Sequence, residues 1–212
     1  MALVNYGDLK TSLANWLGRS DLTTPIPDFV TLAHKQLMRD LRGHLRLQKR
    51  DAAFSITGEY VDAPSDFLEL VSMHLNTTPK VEITFLAAGQ QTSAYSSGSG
   101  EPKFVSLAGD TTAGTENFRF APVPDATYAA TIEYYASLTF FAADSGATGT
   151  NWILTDHPQL YLYGSLLQAA AYIGDDPRVP LWKAAYDEAL AQVKASGNRA
   201  RWGVNGMAVR AA

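Results

Sequence analysis

The sequence predicts an α+β fold: a helical bundle built from both chain ends, with a small antiparallel β region, sandwich or barrel-like, inserted between them. The main observation is a double change of period. Apolar residues recur at helical spacing to about residue 47, alternate from 48 to 149, and return to helical spacing from 150. Gly and Pro clusters punctuate only the middle stretch, at "TGEY", "DAPSD", "SGSGEP", "APVPD" and "ADSGATGT". The predicted domains are therefore a bundle from 1–47 and 150–196, a β insertion at 48–149, and an extended C-terminal arm at 197–212.

The first helix is expected to start at Asn5, whose side chain can cap it, with Asp8 at the third helical position, and to stop near Gly18. Pro25 and Pro27 suit the first turn of a second helix, on which Val30, Ala33, Leu37 and Leu41 share one face. At about 100° per residue, Lys35, Arg39, Arg42 and Arg46 fall on the opposite face. Period-two alternation marks Ala52 to Ile56, Val81 to Phe85, Phe118 to Phe120 and Tyr128 to Tyr134, with a short helix expected near 86–94. Pro158 pushes His157 out of the α region, which makes Thr155 or Asp156 the expected cap of a helix through Leu160, Tyr163, Leu166 and Ala170. A last helix after Pro177 aligns Trp182, Tyr186, Ala189 and Val193.

Composition excludes several classes. No stretch approaches the roughly 18 uninterrupted apolar residues of a membrane span. The N-terminus lacks the parts of a secretory signal, so the chain is expected to stay where it is made. With 0 cysteines, disulfides, thiolate metal sites and thiol catalysis are out of reach. The net charge of −4 hides an asymmetry: residues 51–193 hold 5 of the 17 Lys and Arg against 17 of the 21 Asp and Glu, a balance of −12, while the two ends together carry +8.

Catalytic signatures are missing. Asp156 and His157 stand side by side in "GTNWILTDHPQLYLYG", but adjacent side chains at a helix start point apart and form no base and orienter pair. His34, His44, His74 and His157 show no i, i+4 pair that would let one helix hold zinc. "SGSGEP" lacks the lysine of a phosphate cradle, and no G-x-S-x-G elbow occurs. No catalytic residue, metal ligand or cofactor is expected, and Asp156-His157 reads as a structural joint beside Trp152, a candidate for a subunit contact.

The end of the chain has its own composition. Gly197, Gly203 and Gly206 are expected to break any helix continuing from Val193. Beyond it, Trp202, Val204, Met207 and Val209 are apolar anchors, and Arg199, Arg201 and Arg210 are cations with no acid among them. Trp and Arg dominate binding hot spots, so this arm reads as a partner-binding segment.

The succession of segments "YGDLKTSLANWLGRSDLTTPIPDFVTLAHKQLMRDLR", "YVDAPSDFLEL", "GEPKFVSLAG", "FAPVPDATYAATIEYYASL", "TNWILTDHPQLYLYGSLLQAAAYIGDD" and "LWKAAYDEAL" resembles the adaptor, or head-to-tail connector, proteins of short-tailed bacteriophages and their relatives. The resemblance implies a structural virion protein of the head-to-tail junction, made in the host cytoplasm, and a ring of about twelve copies with cyclic symmetry. It implies docking beneath the portal protein, a channel for packaged double-stranded DNA, a face for the tail tube or nozzle protein, and no membrane. It places the C-terminal arm on the portal. The cations Lys35, Arg39, Arg42 and Arg46 read either as a contact for DNA or a neighbouring subunit, or as ordinary solvated surface that pairs with acids of the same chain. The rival reading is a carbohydrate-binding or tail-fibre-type β module, which would account for the aromatic-rich β region but not for helices at both chain ends.

Overall fold

The computed structural model describes residues 3–19, 21–44, 47–94, 98–109, 116–141, 146–174 and 176–202. In chain order the described elements are α1 (Tyr6–Leu17), α2 (Ile26–Asp40), β1 (Gln48–Ile56), β2 (Tyr60–Asp62), β3 (Phe67–Leu75), β4 (Val81–Glu82), β5 (Thr84–Phe85), α3 (Ala88–Ala94), β6 (Phe104–Ala108), β7 (Asn117–Ala121), β8 (Tyr128–Ala136), α4 (Trp152–Asp156), α5 (Pro158–Ile173) and α6 (Val179–Trp202). The fold is mixed α+β. The chain divides into two units: Met1–Arg46 with Leu138–Ala212, and Leu47–Ser137.

In the helical unit, local chemistry sets the ends of α1. Asn5 is extended and accepts the Asp8 N–H at 2.9 Å, and the helix stops where Gly18 takes the left-handed conformation, φ 64°. The second helix opens at Pro25 and buries Ile26, Val30, Ala33 and Leu37, each worth roughly 1–3 kcal/mol of burial according to size. It ends at Asp40, and Gly43 turns the chain with φ 77°. The expected cationic face is therefore cut short. Lys35 and Arg39 stand exposed on α2, Arg42 lies in the turn beyond it, and Arg46 falls outside the described residues.

The centre of this unit is α5, which packs against α1, α2, α4 and α6. Gly164 lets two of them come close: a Cβ there would lie 3.3 Å from Tyr186 Cε2 and 3.4 Å from Ala33 Cβ. The cap expected at Thr155 or Asp156 is found earlier. Asn151 accepts the Leu154 N–H at 3.0 Å and starts α4, of which Thr155 and Asp156 form the last turn. His157, at φ −138° and ψ 55°, then links α4 to α5 without a side-chain cap bond, outside the α region as Pro158 requires.

The last helix corrects a second expectation, because it passes through Gly197 and continues to Trp202. A mid-helix glycine costs only about 1 kcal/mol. Here it also makes room, since a Cβ at Gly197 would run into the His44 ring, 2.8 Å from Cδ2. The arm expected from 197 thus begins as helix, and residues 203–212 lie outside the described residues.

The β unit holds two four-stranded sheets, ordered β1-β8-β3-β4 and β2-β7-β6-β5. They share one core: Ile56, Met73, Leu75, Ala130, Ile132 and Tyr134 from the first meet Val105, Phe118 and Phe120 from the second. The barrel alternative is overturned, since the two sheets do not close. Pairing is antiparallel except β5 with β6, which run parallel. The run Val81 to Phe85 is divided between sheets at buried Ile83. A register shift between Lys49 and Ala52 accommodates Asp51 at φ 51°, a bulge in β1.

Candidate functional site

Asn151 is the hub of the joint that the sequence placed at Asp156-His157. Its Oδ1 caps α4, while its Nδ2 donates to the Thr139 carbonyl at 3.1 Å and to the Tyr161 hydroxyl at 2.8 Å. The same hydroxyl lies 2.8 Å from His34 Nδ1. Because Tyr161 oxygen accepts from Asn151, its own proton is free to go to His34, whose neutral ring can accept it. The segment after β8 closes the knot: Phe140 contacts the His34 ring at 4.7 Å, Phe141 meets Tyr161 edge-on at 4.9 Å, and the Leu138 N–H points at Met38 Sδ, 3.1 Å away.

Electrostatics agree with a structural role. Burial pushes the His34 pKa down to about 4, against a backbone hydrogen bond with Leu138 that favours the charged ring. Burial raises the Tyr161 hydroxyl well above its ordinary range, against the opposing bond from Asn151. With His34 at 8% exposure and Tyr161 at 0%, a substrate has no access to either group. Asp156 is exposed at the end of α4, and His157 meets the Trp152 ring edge-on at 6.4 Å. Among the described residues no group of His, Asp and Glu is arranged to hold a metal ion.

The other residues singled out by sequence are scattered. Trp152 is half-buried and stacks on His44, ring centroids 5.6 Å apart, so much of its indole is used within its own chain. Arg199, Arg201 and Trp202 belong to the last turns of α6, while Val204, Met207, Val209 and Arg210 lie outside the described residues. Sequence reasoning missed Asn151, His34 and Tyr161. The signals were present: Asn151 precedes an apolar run much as Asn5 does, and His34 sits on the apolar face of α2 between Val30 and Leu37. It also missed His44 with Gly197, a contact between positions far apart that no local pattern announces.

The helical unit thus carries a closed polar knot that joins α2, α4 and α5. Residues 4–210 match the SU10 adaptor protein family, and the chain belongs to that family of phage adaptors, structural components of the virion. No curated protein matches the chain. Among the described residues no helix is long and apolar enough to cross a membrane.

Proposed function

We propose that this protein docks as a cyclic ring beneath the portal, extends the DNA channel and presents the surface to which the tail attaches. The observation that carries the reading is the extent of the family match, which spans both units and reaches Arg210 in the C-terminal arm. In this reading the helical unit and the β unit are the two working domains of the adaptor. The arm, with Trp202, Val204, Met207 and Val209 as anchors and Arg199, Arg201 and Arg210 as cations, seats on the portal. Trp and Arg are the residue types most enriched among binding hot spots. Portal and tail proteins are the partners an adaptor joins.

Electron microscopy of the chain alone and mixed with cognate portal rings tests this. A ring of added density on one face of the portal is expected, and the chain alone should sediment as a monomer, because most of the apolar side chains of its helices are buried in its own core. Bare portals at saturating chain concentration would overturn the docking role, and a stable ring without portal would overturn the assembly order.

A further inference from the structure

The fold joins the two basic ends of the chain. His44 Nε2 lies 3.2 Å from the Val193 carbonyl oxygen, 149 residues on, and a Cβ at Gly197 would run into the same ring. A cleft of about 240 Å³ opens at this crossing, lined by Asp40, Arg42, His44, Lys194 and Asn198. Arg42, Lys194 and Asn198 are exposed, and Lys35 and Arg39 extend the cationic surface along α2. Asp40 is the one acid among the described residues lining the cleft, and its carboxylate accepts the Tyr186 hydroxyl at 2.7 Å. After Glu188 the sequence holds Lys194, Arg199, Arg201 and Arg210 and no further acid.

We propose that this cleft binds a phosphate of the double-stranded DNA backbone without reading sequence; the inference deepens the proposed reading, on which packaged DNA passes along the protein. A guanidinium fork, an ammonium and a side-chain amide are the donor types that phosphate oxygens take. Among the described residues no exposed apolar side chain lines the cleft, as a protein hot spot would require, whereas phosphate binding needs charge alone. Lys35 and Arg39, one turn or about 6 Å apart along α2, continue the contact to further phosphates.

The test is fluorescence anisotropy of a short labelled duplex titrated with the full chain at about 50 mM and about 200 mM salt. Binding that weakens steeply with salt is expected. Arg42→Glu with Lys194→Glu should raise Kd at least about tenfold at low salt and reduce the salt slope by roughly two. Arg42→Gln with Lys194→Gln should act in the same direction, and unchanged melting shows that these variants are folded. Lys80→Glu with Lys103→Glu, the same charge change on exposed residues of the β unit, should leave Kd nearly unaltered. No binding at low salt, or equal loss in the cleft and control variants, would overturn the proposal. So would a cleft variant that binds the duplex normally but fails to decorate portals, which would assign this pole to an acidic protein face. Portal decoration by the unmodified chain reports separately on the adaptor reading.

Discussion

His34 Nδ1 and the Tyr161 hydroxyl lie 2.8 Å apart across 127 residues of sequence, joining α2 to α5 at the point where Asn151 also bonds the hydroxyl. Removing that oxygen leaves a buried imidazole nitrogen without its donor and the Asn151 amide with one acceptor fewer. Tyr161→Phe keeps the ring contacts with Phe141 and is expected to lower stability by about 1–3 kcal/mol. A reduced urea midpoint at unchanged slope is the readout. An unchanged midpoint would show that the hydroxyl is not holding the joint.

The same knot makes stability depend on pH. Above the ordinary histidine value of 6.5 the His34 ring is neutral in both folded and unfolded chains, and its full contribution is present. Below it the unfolded chain takes up the proton first, since the folded ring protonates only near 4. Stability from this group therefore falls with pH, by about 3 kcal/mol in all once pH reaches the folded value. His34→Gln should flatten that part of the profile between about pH 6.5 and 4, read from urea midpoints along the range. A variant with the slope of the unmodified protein would place the acid sensitivity elsewhere.

Gly197 sets helix propensity against packing. Alanine is favoured over glycine inside a helix by about 1 kcal/mol. Yet the added Cβ would displace the His44 ring, with its contact to the Val193 carbonyl and its stack on Trp152. Overpacking of this kind costs about 1–3 kcal/mol, so Gly197→Ala is expected to lower the Tm. In a His44→Ala background the sign should reverse. A stabilised single variant would refute the contact as the reason for the glycine.

These cases show which parts of the molecule were legible in the sequence. Asn5 with Gly18, and Pro25 with Pro27, mark helix ends by chemistry confined to a few neighbouring residues, and the structure follows them. The four-cation face is cut short because projecting at constant pitch assumes that the helix continues, whereas α2 ends at Asp40 and Arg42 lies in the turn beyond it. The strands Phe67–Leu75 and Phe104–Ala108 escaped the period argument because they do not alternate cleanly: Val71 points to solvent, and Ser106 is buried, donating a hydrogen bond to Gln91. Asn151 was overlooked because the helix it caps has only five residues, too short to show a period before Pro158 starts the next. Gly197 was misread for the opposite reason: its local propensity is plain, and a distant ring overrules it.

The helical continuation to Trp202 also changes how the C-terminal arm should be tested. Truncation from 197 would remove the last turns of α6 together with the Gly197 contact to His44, so a loss of portal binding could follow from damage to the helical unit. Deleting only 203–212 leaves every described helix in place and takes away Val204, Met207, Val209 and Arg210. The shortened chain is expected to melt as the full chain does and to lose attachment to portal rings. Trp202→Ala, with the rest of the arm present, should weaken attachment by about 2 kcal/mol or more, the scale of a tryptophan hot spot. Portal occupancy measured by electron microscopy against a concentration series gives both numbers. Full occupancy by the truncated chain would show that the anchor lies elsewhere.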